Sequence, residues 1–224
     1  MIAMAARQPI DPLKVMNQRE VSVILADLEK KQRRSINARQ NRVIFRLATC
    51  CGLRVSEIHG LTLADLRMVE SPLHVWIRAE TAKRRRARQV PLHLDRDTLT
   101  DLREWKQYRR DEMGANNTDP FVCCLTPGVL PATGDVRYGK PIPRQTIAAR
   151  FKTAIKILGK QRTDYLTIHS GRHTFASLCL KNGVPLPTLQ QWLGHARMSS
   201  TMIYCHMIPD DTDEIGDFFK FPIL

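Results

Sequence analysis

Aromatic side chains are scarce, at 6% of the chain. That argues against a platform on which the bases of a single strand stack in succession. No apolar run approaches the roughly 18 residues of a membrane-spanning helix. The apolar start, Met1 to Ala6, is far too short for a signal peptide. The six cysteines fall as Cys50-Cys51, Cys123-Cys124, Cys179 and Cys205, without the C-x-x-C spacing of a zinc or thioredoxin-like site. Such adjacent pairs read as small apolar residues in a reducing compartment. A cytoplasmic protein is therefore expected. Internal repeats and low-complexity tracts are absent as well. Acidic residues are in deficit: 22 Asp+Glu face 35 Lys+Arg, a formal net charge of +13. That balance asks for a polyanionic partner, most simply double-stranded DNA gripped by its backbone. A chain of 224 residues can bury a good core and holds one or two domains.

Residues 1–16, with Pro9 and Pro12, read as a leader or linker. Asn17 with Glu20 forms a capping-box start, followed by Val21, Ile24, Leu25 and Leu28 at helical spacing. A second helix is expected from Ile36 to Cys51, with Gly52 at its C-terminal end. Ser56 is read as the cap of a short helix. Taken alone, Arg54 and Glu57 read as a solvent-facing ion pair of little worth. Leu73, Val75 and Ile77 alternate with His74 and Trp76 as a strand, with Gln89 to Leu94 as its partner. The turn between them carries Lys83, Arg84, Arg85, Arg86 and Arg88. So many cations in a row suit a hairpin that touches a DNA groove; a solvated tip is the alternative. Helices are expected over Asp95–Glu112, Arg144–Leu158, Ser170–Asn182 and Pro187–Leu193. The second of these is strongly amphipathic, with Ile147, Phe151, Ile155 and Leu158 on one stripe and Arg150, Lys152 and Lys156 on its other face. Thr126 to Pro143 is a long loop, which is generally functional or mobile. Ser199 or Ser200 is expected to cap the segment that carries Tyr204. The sum is a mainly α fold with one small antiparallel β-sheet (α+β).

The chemistry concentrates between His169 and Tyr204, in His169-Ser170-Gly171-Arg172-His173, Gly194-His195 and Tyr204. Phosphoryl transfer places negative charge on the non-bridging oxygens, and a guanidinium grips two of them at once. A tyrosine hydroxyl attacks only when its proton is taken, and imidazole is the usual acceptor. A metal on His169 and His173 is disfavoured, because no Glu follows the first His.

At this point the chain resembles the catalytic domain of the tyrosine recombinases, the phage integrase family, from about Asn17 to Met207. The residues that carry the likeness are Cys51-Gly52-Leu53-Arg54-Val55-Ser56-Glu57 and Lys83 ahead of Val90-Pro91-Leu92. They continue in His169-Ser170-Gly171-Arg172-His173-Thr174-Phe175-Ala176, Leu193-Gly194-His195 and Tyr204. The resemblance implies roles. Arg54 and Arg172 would clamp the scissile phosphate, and Tyr204 would attack it to form a 3′-phosphotyrosyl bond. Lys83 would protonate the departing 5′-oxygen, His169 would serve as acid/base toward the tyrosine, and His195 would donate to the phosphate. Glu57 would support Arg54, which reverses the surface-pair reading. Arg84, Arg85, Arg86, Arg88, Arg144 and Arg150 would touch DNA. No cofactor is implied, neither metal nor ATP, and the active species would be a homo-oligomer, a tetramer on two duplexes. The catalytic domain would span 17–208, and the tail 209–224, apolar at its end, would dock on a neighbouring protomer or on its own core. Only 16 residues precede Asn17, too few for the N-terminal helical domain most members carry. A type IB topoisomerase shares this chemistry and is the alternative enzyme. A DNA-binding protein with a decayed site is opposed by the intact set of six.

Overall fold

The computed structural model describes residues 9–69, 71–82, 86–92, 94–126, 128–129, 136–137 and 139–207. Lys83, Arg84, Arg85 and the tail 209–224 lie outside the described residues. Helix α1 (Gln18–Gln32) begins at the expected capping box: Asn17 Oδ1 accepts from Glu20 N–H at 2.8 Å, and Glu20 Oε2 accepts from Asn17 N–H at 2.9 Å. Helix α2 (Ile36–Thr49) is the core of the molecule, with Ile44, Phe45, Leu47 and Ala48 wholly buried. The helix is buried on most of its faces, Gln40, Asn41, Arg42 and Arg46 included, so other elements must surround it and partner its polar side chains. Helix α4 (Arg96–Asp111) covers one side. There Asp101 accepts from Arg42 Nε at 2.8 Å and Arg46 Nε at 2.7 Å. Buried ion pairs of this kind fix register more than they add net stability. Helix α5 (Arg144–Ala154) covers another side, and Phe151 stacks on Phe45 with ring centroids 5.7 Å apart. Such a pair adds about 1 kcal/mol beyond its area.

Strands β1 (Leu66–Arg67), β2 (His74–Ile77) and β3 (Arg88–Pro91) form an antiparallel sheet in that order. Val75 pairs with Val90 and Leu66 with Val75, so the inward row joins the core. Strand β1 has only two residues and gave no alternating pattern to read. His74, expected outward, is buried, with Nδ1 2.6 Å from Pro72 O. The long loop contains a second small hairpin, β4 (Gly128–Val129) with β5 (Val136–Arg137).

Short helix α3 (Val55–Gly60) follows Gly52, and α6 (Lys160–Tyr165), α7 (Ile168–Lys181) and α8 (Leu186–Leu193) complete the α-helices among the described residues. Ser56 is not the cap of α3: its first free N–H, on Arg54, is taken by Glu57 Oε2 at 2.9 Å. Helix α6 was not expected, because its six residues bury none of their side chains and show no apolar stripe. Helix α7 begins at Ile168 rather than Ser170, since Ser170 Oγ reaches back to Thr167 N–H at 3.1 Å. The helix expected through Leu158 tightens to a 3-10 turn over Ile155–Leu158. Ser199 and Ser200 sit inside a 3-10 turn, Met198–Ser200, and Tyr204 lies on the next one, Met202–Met207. Part of the stretch read as a leader is packed: Ile10, Val15 and Met16 are buried.

Candidate active site

Four element ends converge. Helix α2 stops at Gly52, whose φ of +64° suits glycine. A Cβ there would lie 2.4 Å from Phe175 Cδ1 on α7. The chain thus turns sharply under α7 and delivers Arg54 and α3. Helix α7 crosses α2 closely, because Gly171 faces Ala48 and Thr49 where a Cβ would meet Thr49 Oγ1 at 2.9 Å. Its first turns carry His169, Arg172 and His173 on one face, at i, i+3 and i+4. Helix α8 ends at Gly194, in the left-handed region, and presents His195. Together these ends and the Tyr204 turn line a cavity of about 480 Å³, walled by Arg54, His169, Arg172, His173, His195 and Tyr204. Arg144, exposed at the start of α5, also borders it.

Glu57 is fully buried beneath this cavity. Its Oε1 accepts from Arg54 Nη1 at 3.0 Å and Arg88 Nη1 at 2.9 Å. Its Oε2 accepts from Arg88 Nη2 at 2.8 Å and lies 4.0 Å from Arg172 Nη1. Burial alone would raise the carboxyl, but the Arg88 hydrogen bonds and the charges of Arg88, Arg172 and Arg54 outweigh it and hold its pKa at about 2. The surface-pair reading is thereby overturned. Arg88 also corrects an expectation. It was placed among the cations that touch DNA, yet its side chain is 8% exposed and is committed to Glu57 and, through Nε at 2.7 Å, to Trp192 O. Arg172 donates to Gly52 O at 2.7 Å and to Leu193 O, tying the ends of α2 and α8 together. Its burial and the nearby Arg54 charge lower its pKa to about 9, against the pull of Glu57. Arg172 remains charged at pH 7. Three guanidiniums therefore share one carboxylate. The two that line the cavity, Arg54 and Arg172, are only partly compensated and hold excess positive charge there. Two guanidiniums so placed can grip an anion between them.

Tyr204 is 2% exposed, and its hydroxyl lies 2.9 Å from His173 Nδ1. Burial, together with His169 and Arg172, pushes the His173 pKa down to about 4. In the neutral imidazole, the tautomer with its proton on Nε2 leaves Nδ1 as an acceptor for the phenol. Burial raises the Tyr204 pKa, opposed by Arg172 and Arg54. The hydrogen-bond partner of Tyr204 is thus His173, while His169, expected as acid/base toward the tyrosine, lines the same cavity. The spacing already placed both on one face of α7; only the tertiary position of the Tyr204 turn separates them. His169 is exposed at the cavity wall. His195 Nδ1 lies 2.9 Å from Thr201 Oγ1, and its backbone N–H is held by Gln190 O at 3.1 Å. Arg150 sits apart from the cavity, donating to Asn41 Oδ1 at 3.1 Å and Asn37 Oδ1 at 2.9 Å. Arg86 is exposed at the base of the hairpin tip; Lys83, Arg84 and Arg85 fall in the undescribed part of it. Among the described residues no helix is long and apolar enough to cross a membrane.

A model of the phage integrase family matches residues 14–210. The tyrosine recombinase XerD of Proteus mirabilis is 31% identical over 168 residues, covering 75% of this chain and 48% of that protein. XerD of Staphylococcus saprophyticus is 30% identical over 190 residues, covering 84% of this chain and 57% of that protein. The chain thus spans about half the length of the curated relatives it matches. Among solved structures, the fold is similar to that of XerA recombinase, with a TM-score of 0.66 and 20% identity over 97% of this chain and 67% of that one. It is also similar to the catalytic domain of bacteriophage HP1 integrase, with a TM-score of 0.53 and 20% identity over 92% of this chain and 94% of that one. With the family model spanning most of its length, the chain belongs to the phage integrase family.

Proposed function

We propose that this chain is the catalytic domain of a site-specific DNA recombinase that cleaves and rejoins duplex DNA through a 3′-phosphotyrosyl intermediate. The observation that carries the reading is the pairing of Tyr204 with the undercompensated Arg54 and Arg172 in one cavity. A scissile phosphate held by both guanidiniums has its developing charge stabilised, and the stabilisation grows as the phosphorane forms. Tyr204 Oη then bonds to phosphorus as the P–O5′ bond breaks. The phenolic proton leaves to an imidazole of the site, and Lys83 supplies a proton to O5′. His195, its ring fixed by Thr201, donates to a non-bridging oxygen. One phosphodiester is exchanged for another, so ATP has no energetic task. The guanidiniums supply the positive charge that a metal would otherwise bring.

The substrate in this reading is duplex DNA, which several structural neighbours are bound to. XerH, for one, was solved on its difH substrate before cleavage, at a TM-score of 0.66 and 19% identity. Exposed Arg86 and Arg144 would meet its backbone beside the cavity, joined by Arg84 and Arg85. Arg150 would require release from Asn37 and Asn41 to join them. Assembly as a tetramer, with the tail 209–224 docked on a neighbour, completes the proposal. The test is covalent capture. Nicked duplexes with a random central segment should yield a denaturation-resistant protein–DNA adduct that Tyr204→Phe abolishes while DNA binding persists. Supercoil relaxation by a monomer, without strand exchange, would move the assignment to a topoisomerase. An adduct that survives Tyr204→Phe would overturn it.

A further inference from the structure

The stretch read from sequence as a leader is tied to the nucleophile's own turn at two points. Ile10 N–H donates to Ile203 O at 3.3 Å. His206 Nε2 lies 3.0 Å from Ile10 O. A carbonyl only accepts, so this nitrogen carries the proton. The two bonds bracket Tyr204, one on the residue before it and one on the second residue after it. The side chains of Ile10 and Val15 share an apolar cluster with Tyr204, Phe175, Leu189 and Leu193. The rest of the stretch is anchored to the body of the domain. Asp11 Oδ1 accepts from Leu13 N–H at 2.9 Å and caps a 3-10 turn, Pro12–Lys14. Arg162 on α6 donates to Leu13 O and, at 2.7 Å, to Val15 O, and pairs with Glu20 on α1 at 2.6 Å. Met16 N–H donates to Thr174 Oγ1 at 2.9 Å, on the residue next to His173.

The turn that carries Tyr204 needs such support. It is a six-residue 3-10 helix, and 3-10 geometry is weak in pieces longer than a few residues. Its inner side is held by the His173 hydrogen bond and its outer side by Ile10. We propose that residues Ile10–Met16 form a strap that sets the position of Tyr204, with His206 as the positioning residue on the nucleophile's turn. Motion of the strap is then motion of the nucleophile. This inference rests on the reading of Tyr204 as the attacking group.

The test uses the full chain and one nicked duplex enriched from a random-sequence pool by covalent retention on the unaltered protein. Single-turnover cleavage is measured at saturating protein, and duplex affinity and melting temperature are measured separately. His206 is exposed, so its replacement removes little buried packing, and the melting temperature reads out any loss of fold. His206→Phe keeps the bulk and removes the donor. It should cleave roughly ten- to a hundredfold more slowly, the cost of misplacing a reacting group by about 1 Å, with affinity and melting temperature unchanged. His206→Gln, whose amide N–H reaches the same carbonyl, should recover most of the rate. A His206→Phe rate within twofold of the unaltered chain overturns the strap. So does a deficit wholly accounted for by weaker DNA binding, or a Gln variant as slow as the Phe variant. If Tyr204→Phe still forms the adduct, the reading of the nucleophile falls and takes the strap with it.

Discussion

Replacing Glu57 by Gln removes the one carboxylate that three guanidiniums share and leaves the shape almost unchanged. Its worth follows from the structure. The carboxyl is fully buried, with its pKa held at about 2 against an ordinary 4.5. A shift of that size corresponds to about 3 kcal/mol between the charged and neutral forms. Removing one partner of a buried ion pair costs about 3–5 kcal/mol by other routes, so the two figures agree. Glu57→Gln should therefore lose about 3 kcal/mol of unfolding free energy at pH 7, read as a lower urea midpoint at constant slope. The pH dependence gives a second reading. Because the folded pKa is depressed, the contribution is present in full above about pH 4.5 and disappears as pH falls through about 2. The gap between variant and unaltered chain should narrow across that window. Sulfate or phosphate should stabilise both chains and Glu57→Gln more, since the anion site then carries greater excess charge. A loss below about 1 kcal/mol, with no narrowing at low pH, would refute the role of Glu57 as the shared counter-ion.

Gly52→Ala should destabilise the domain by about 2–3 kcal/mol in denaturant titration, because φ is positive and the new Cβ falls against Phe175. His173 titrates from about 4 in the folded chain against 6.5 when free, so the unfolded chain takes up its proton first. Stability should fall as pH drops from about 6.5 toward 4, and His173→Gln should flatten that part of the profile. Lys83→Ala and Arg172→Ala should both slow cleavage, Arg172→Ala by several orders of magnitude. A substrate with a 5′-bridging sulfur, whose leaving group needs no proton, should restore much of the Lys83→Ala rate and little of the Arg172→Ala rate. Equal rescue of both would remove Lys83 from the general-acid role.

The elements that sequence reading recovered are those whose signals are local. The Asn17–Glu20 box, the apolar stripe of α5 and the glycines that end α2 and α8 all act within a turn or two. The convergence of Arg54, His169, Arg172, His195 and Tyr204 was legible as well, through the family resemblance and not through periodicity. What escaped depends on distant contacts. Arg88 sits in a run of cations and reads as a surface residue, until Glu57 and Trp192 draw it inward. Glu57 reads as a surface acid for the same reason. That His173 is hydrogen-bonded to the tyrosine follows from where the Met202–Met207 turn docks, which no spacing states. The stretch before Asn17 is proline-containing and short, and only its bonds to α6, α7 and the Tyr204 turn reveal that it is packed.

The central claim is that Tyr204 attacks a DNA phosphate held by Arg54 and Arg172. The most direct measurement isolates the covalent adduct on a nicked duplex, digests it, and maps the modified residue and the polarity of the bond by mass spectrometry. The account predicts a single phosphotyrosine at Tyr204, joined to a 3′-phosphate, with the 5′-hydroxyl released on the other side of the break. A linkage on Tyr108, Tyr138 or Tyr165, or a bond to a 5′-phosphate, would contradict it.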